Sequence, residues 1–147
     1  MNARDDKPFA TPCLCNALRQ ASRAVSRFYD EELRGVGLRT TQFSLMRFLK
    51  NSGGVRQRDL GARTSLDETT LTRNLRPLIH AGWVAIDSGE DRREKLVSLT
   101  KAGSAKQREA RPAWDRAQER MRSRLPKTDW SSLLAVLPEL TRLAEAE

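Results

Sequence analysis

Residues 57–100 constrain this chain more than any other stretch: QRDLGARTSLDETTLTRNLRPLIHAGWVAIDSGEDRREKLVSLT holds two short helical patterns, a tight turn and a hairpin tipped with Asp91-Arg92-Arg93. In the second helical pattern Leu71, Leu75, Leu78 and Ile79 recur at i, i+4, i+7 and i+8, which makes one apolar stripe. At about 100° per residue, Thr69, Arg73, Arg76 and His80 fall on the opposite face. A helix greasy on one side and rich in Arg and Thr on the other, with a basic hairpin behind it, suits a major groove and the minor groove beside it. The segment reads as a winged helix-turn-helix, and the chain as a binder of double-stranded DNA.

The flanks read as helices around that module. From Pro12 to Glu32, Leu14, Leu18, Ala21, Val25 and Phe28 recur every three or four residues, and Gly35-Val36-Gly37 stops the pattern. Thr40 or Thr41 is placed to cap a second helix holding Phe43, Leu45, Met46, Phe48 and Leu49, whose nearly all-round apolarity puts it in the core. The third helix spans about Gln57 to Thr64, and Ser65-Leu66 makes the turn. Asp67 is the expected cap of the fourth helix, with a Ser65/Glu68 capping box as the rival. Pro77 should bend the last turn of that helix, and Gly82 ends it.

Strands are expected at Trp83–Asp87 and Lys95–Leu99 around a turn at Ser88–Asp91. Thr100 then caps a fifth helix reaching about Leu125, with Ala110, Trp114, Ala117 and Met121 on one face and a kink at Pro112. A sixth helix starts at Asp129 and aligns Trp130, Leu133, Leu134, Leu137, Leu140 and Ala144, with Pro138 as an irregularity. The fold class is therefore mainly α with a small β-hairpin wing. Its organisation is a loose arm at 1–11, a winged module at 36–100, and dimerisation helices at 12–35 and 101–147.

Composition enters through burial and charge. Charged residues are 31% of the 147 and aromatics only 5%, so the apolar stripes at the two ends are best buried against a second copy of the chain. The formal net charge of +8 favours a polyanionic partner. No apolar run approaches the roughly 20 residues of a bilayer span, and no signal peptide opens the chain, so the expected location is cytoplasmic. With one histidine, no phosphate loop and no nucleophile elbow, the chain is not expected to be an enzyme, and no cofactor is expected. Cys13 and Cys15 lack the further ligands of a zinc site, so no metal is expected either.

With that order of elements, the chain resembles the MarR family of bacterial transcription regulators. The resemblance rests on LTRNLRPLIHAGWV followed by DRREKLVSLTKAG, with the wing's Asp-x-Arg met by Asp91 and Arg93 and a glycine at Gly103. It implies a homodimer with two winged modules on a near-palindromic operator, acting as a repressor that a small lipophilic ligand releases. The DNA-reading candidates are Thr69, Thr70, Thr72, Arg73 and Arg76 on the recognition helix, and Arg92 and Arg93 on the wing. Asp91 is expected to orient the wing as an ion-pair partner. His80 is a candidate for a phosphate or helix-dipole contact, and Gln57, Arg58 and Arg63 are weaker backbone candidates.

Two forms of control remain open at this point. Phe28, Met46, Phe48 and Trp114 are candidates to line an inducer pocket between dimer helices and winged module. Alternatively, Leu14-Cys15-Asn16-Ala17-Leu18 resembles the cysteine segment of the organic-hydroperoxide regulators, and Tyr29 matches a phenol that bonds the reactive sulfur there. Fourteen residues separate the two by roughly 21 Å along a helix, so Tyr29 would serve the Cys15 of the other subunit. The second expected tyrosine is Thr40 here, which deprives a thiolate of a stabilising donor. A non-specific basic nucleic-acid-binding protein is the remote alternative. It would be expected to show stacking aromatics or a plain basic stripe in place of a wing and a reading helix.

Overall fold

The computed structural model describes residues 12–146; the arm expected at 1–11 lies outside the described residues. The elements run α1 (Leu14–Leu33), a 3-10 turn (Arg34–Val36), α2 (Thr40–Ser52), β1 (Val55–Arg56), α3 (Gln57–Thr64), α4 (Glu68–His80), β2 (Val84–Ser88), β3 (Lys95–Leu99), α5 (Lys101–Ser123) and α6 (Lys127–Glu145). The architecture is the expected one, mainly helical with a small antiparallel sheet.

Local chemistry explains most boundaries. Gly37 takes the left-handed φ of 70° after the 3-10 turn and donates its N–H to the Arg34 carbonyl, which lets the chain reverse into α2. The cap of α2 is neither threonine. Arg39 occupies the cap position, and its N–H donates to Gln42 Oε1 at 2.9 Å, half of a capping box. Thr40 is the first helical residue, and its N–H donates to Asp30 Oδ1 of α1 at 2.7 Å. A neighbouring helix has thus taken over part of the capping that a local hydroxyl was expected to do.

The turn between α3 and α4 is set by Ser65, a non-glycine residue at φ 51°, with the Leu66 N–H donating to the Gly61 carbonyl. The helices approach closely at Gly61, where a Cβ would lie 3.1 Å from the Leu66 carbonyl oxygen and 3.5 Å from Leu71 Cδ2. Asp67 caps α4 as expected, accepting from the Thr70 N–H at 2.8 Å, and Ser65 takes no part in a capping box. Helix α4 runs through Pro77 to His80 and is closed by Gly82 at φ 75°.

The sheet has a third strand that the sequence pattern did not announce. Its order is β1-β3-β2, all antiparallel, with Val55 opposite Val97 and Val84 opposite Leu99. Two residues are too few for any periodicity to register, so β1 was invisible as a sequence signal. The tight turn of the hairpin also sits later than expected. The Glu94 N–H donates to the Asp91 carbonyl at 2.8 Å, so the reversal spans Asp91–Glu94 with Arg92 and Arg93 at its centre.

The core is shared by α2, α3, α4, the sheet and the first half of α5. Phe43, Met46, Leu60, Leu71, Leu75, Leu78, Val97, Ala110 and Ala113 are all buried in it. Thr100 caps α5 by accepting from the Gly103 N–H at 2.9 Å, while its own hydroxyl donates to the Gly82 carbonyl at 2.7 Å. Gly103 is held to its identity by packing: a Cβ there would sit 2.0 Å from the Trp83 carbonyl oxygen. Helix α5 continues unbroken past Pro112, and its second half leaves the core to run along α1. There Glu32 pairs with Arg116 at 3.6 Å and with Arg120.

Candidate nucleic-acid interface

Burial of Leu71, Leu75 and Leu78 fixes the rotation of α4 about its axis and presents its other face to solvent. Glu68, Thr69, Thr72, Arg73 and Arg76 form one shallow hollow on that face. Four of the five recognition-helix candidates are therefore brought together on an exposed surface. Thr70 is the exception. It is half-buried, and its hydroxyl donates to Asp67 Oδ2 at 2.7 Å, so it builds the start of the helix. These hydrogen bonds from Thr70 hold the Asp67 carboxyl below its ordinary range.

Ile79 departs from the stripe assigned to it. It is 38% exposed, and Ile86 of β2 is 37% exposed. Both line a cleft of about 370 Å³ between α4 and the hairpin, along with Thr72, Arg76, His80 and Lys95. The lone histidine thus stands at the end of α4 on the same side as Arg76.

On the wing, Arg92 and Arg93 are exposed at the tip. Asp91 orients them in a way the sequence did not suggest. Its carboxylate accepts from the backbone N–H of Arg93 at 3.0 Å, and among the described residues it forms no ion pair. The ion pair of the wing is instead Arg56 with Glu94, at 3.3 Å, joining β1 to the base of the turn. Arg56, Arg58, Arg93 and Lys95 line a cleft of about 520 Å³ between α3, α4 and the wing, floored by Gly61, Leu66 and Leu71. Arg56 and Lys95 belong to this basic surface and were not singled out from the sequence. Their signal was the strand pairing, which sequence periodicity does not carry. Arg63, by contrast, lies over the Phe48 ring at 5.9 Å.

Of the residues named for control, Phe48 and Trp114 pack against the core cluster that holds Met46. Met46 is fully buried in the core; Trp114 stacks on Phe43 with centroids 5.9 Å apart and lies under Arg47 and Arg111. Phe28 is covered by Arg120 and Arg124, and Phe48 by Arg63. None of the three clefts on the reading side includes any of the four. Cys13 and Cys15 are free and exposed at the start of α1. Tyr29 donates its hydroxyl to Gln118 Oε1 of α5 in the same chain, and partial burial raises its pKa. With the phenol committed within the chain, thiol sensing through Cys15 and Tyr29 is not favoured.

Among the described residues, no helix is long and apolar enough to cross a membrane, and no three His, Cys, Asp or Glu side chains are gathered as metal ligands would be.

The geometry of the module can now be set beside known proteins. Residues 36–94 match the profile of the MarR family, covering α2 through β2 and the turn of the wing. An uncharacterized HTH-type transcriptional regulator of Bacillus subtilis, YwoH, is 33% identical over 96 residues, or 65% of this chain and 70% of that protein. The structure of the M. tuberculosis transcriptional regulator MosR in complex with DNA superposes with a TM-score of 0.82 and 34% identity, covering 91% of this chain and 97% of that one. A probable transcriptional regulator from Pseudomonas aeruginosa gives a TM-score of 0.78 and 26% identity over 92% and 98% of the two chains. The chain is similar to these regulators in sequence and in fold over most of its length; it belongs to the MarR family of winged helix-turn-helix transcriptional regulators.

Proposed function

We propose that the protein is a homodimeric repressor that reads a near-palindromic duplex operator and lets go of it when a small lipophilic ligand binds. One observation carries the DNA-reading part. Thr69, Thr72, Arg73 and Arg76 share the exposed face of a helix whose other face is locked into the core, with Arg92 and Arg93 presented beside them on the wing. Arg73 and Arg76 suit guanine edges, the threonines suit phosphates or thymine methyls, and the wing arginines suit a minor groove. The similarity to MosR, whose structure contains DNA, supports the same use of the surface.

Dimerisation rests on the chain ends. Leu133, Leu134, Val136, Leu137 and Leu143 of α6 are each at least 40% exposed, and α6 buries none of its residues within one chain. An apolar helix face left open in this way requires a partner, and a second copy supplies it with two-fold symmetry. The parts played are 12–35 and 101–147 as dimerisation helices and 36–100 as the reading module. Helix α5 links the two, since its first half packs in the module's core and its second half along α1. A ligand wedged between the dimer helices and the module would act through α5 on the separation of the two α4 helices. Phe28 and Trp114, on α1 and α5, are the residues of the original four placed on those helices.

Selection of duplexes from a random pool by the purified full chain tests this reading. An enriched sequence with two inverted half-sites about one helical turn apart is the expected result. Enrichment of no sequence, with equal affinity for random duplex and RNA, would replace it with non-specific nucleic-acid binding.

A further inference from the structure

Glu68 is a carboxylate in the middle of a basic reading surface. It is the first residue of α4, it is exposed, and it lines two clefts between α3, α4 and the wing beside Gln57 and the shallow hollow on α4 beside Arg73 and Arg76. The other acid on these clefts, Glu94, is neutralised by Arg56 at 3.3 Å. Among the described residues Glu68 has neither an ion pair nor a side-chain hydrogen bond. Its neighbour Asp67 already caps the helix through Thr70, so Glu68 is not required for that task.

The position matters because the N-terminal residues of a recognition helix are those that reach base edges. A carboxylate there is repelled by phosphates and by the acceptor pair O6 and N7 of guanine. In the major groove it is matched by an exposed amino group, and cytosine presents N4–H2 with no adjoining acceptor. We propose that Glu68 is a specificity-determining residue that accepts from the N4 amino group of one cytosine in each half-site. Arg73 and Arg76 attract guanine, and Glu68 excludes it from the neighbouring step. This inference rests on the reading of α4 as the helix that enters the major groove.

The test uses the operator selected by the full chain, with every base pair of one half-site varied in turn at fixed salt. Wild type should require cytosine at one position, losing about tenfold in affinity with any other base. Glu68→Ala should bind all four bases there within about twofold, keep its preferences elsewhere, and bind random duplex more tightly than wild type. Replacing that cytosine by its analogue without the exocyclic amino group should cost wild type the same factor and cost Glu68→Ala nothing. A thermal melt of Glu68→Ala matching wild type excludes loss of fold. Retention of the cytosine preference in Glu68→Ala, or a uniform loss of affinity at every base, would overturn the proposal and leave the carboxylate as a partner of the helix dipole. Failure of wild type to select any sequence would instead overturn the reading surface itself.

Discussion

The winged module and the terminal helices solve the burial problem in opposite ways. In the module, α2 alone buries Phe43, Leu45, Met46 and Leu49, and α4 buries three leucines against them. At the ends, α1 buries only Leu33 and α6 nothing, although α6 is the richer in leucine. The lesson is that apolar content does not say where a helix finishes its core. A helix flanked by others of the same chain closes locally, whereas α6 at the terminus keeps its apolar face on the outside. The proposed reading and pairing surfaces thus lie on different elements, and α5 packs against both the module and α1.

Breaking the module should give the largest effect. Gly103→Val places carbon 2.7 Å from Leu99 Cδ1 and 2.0 Å from the Trp83 carbonyl oxygen, a backbone atom that no change of rotamer moves aside. The expected cost is about 3 kcal/mol or more, seen as a low-temperature melt or as aggregated protein, because backbone itself must shift. A melt within a few degrees of wild type would show that the α5 start is not part of the module's closure.

Breaking the ends should leave the module standing. Leu133→Glu with Leu137→Glu should turn dimers into folded monomers, each leucine contributing about 1.5–3 kcal/mol when covered. Light scattering gives the mass, and circular dichroism shows whether the winged module survives. Wild type with the mass of one chain at micromolar concentration would contradict the comparison at its root.

Within the module, reading and folding should part company. Arg73→Ala should cost about 1–3 kcal/mol per half-site on the selected operator, with little change on random duplex. Arg93→Ala should weaken binding with less change in major-groove preference. Neither should alter the melt, since both side chains are exposed. Equal operator binding by both variants across a salt series would relocate the reading surface.

Smaller effects sharpen the picture. Asp67 has a carboxyl held below the ordinary 3.8 by hydrogen bonds from Thr70. Its folded form therefore binds fewer protons than the unfolded chain just below that value, and stability from this cap is present above it and lost as pH falls through the lowered pKa. Asp67→Ala should lower the melting temperature at neutral pH, and the gap to wild type should close in acid. A gap unchanged by acid would deny the carboxylate its role. Smallest of all is the response to oxidant: operator binding by wild type and Cys15→Ser should be the same with and without an organic hydroperoxide. Release of wild type alone would restore the thiol as sensor.

Much of this was legible beforehand wherever a local rule acts alone. The period of Leu71, Leu75 and Leu78 set the rotation of α4, the stop at Gly82 and the caps at Asp67 and Thr100 set helix ends, and the surplus of arginine marked the reading side. Each depends on residues within a turn or two of one another, and so survives without knowledge of the rest of the chain.

What only the tertiary structure decided involves partners distant in sequence. The cap of α2 is shared with Asp30 of α1, ten residues away; the strand at Val55 exists because Val97 lies opposite. Thr70 turns its hydroxyl to Asp67, Asp91 serves a backbone amide in place of a guanidinium, and Tyr29 finds Gln118 eighty-nine residues on. Ile79 kept its helical register yet stays partly exposed, because the hairpin leaves a cleft where the stripe called for cover. The physical reason is common to all of these. A hydrogen-bonding or apolar group is satisfied by whatever the fold brings near it, and proximity across the chain is set by packing, which no local pattern encodes.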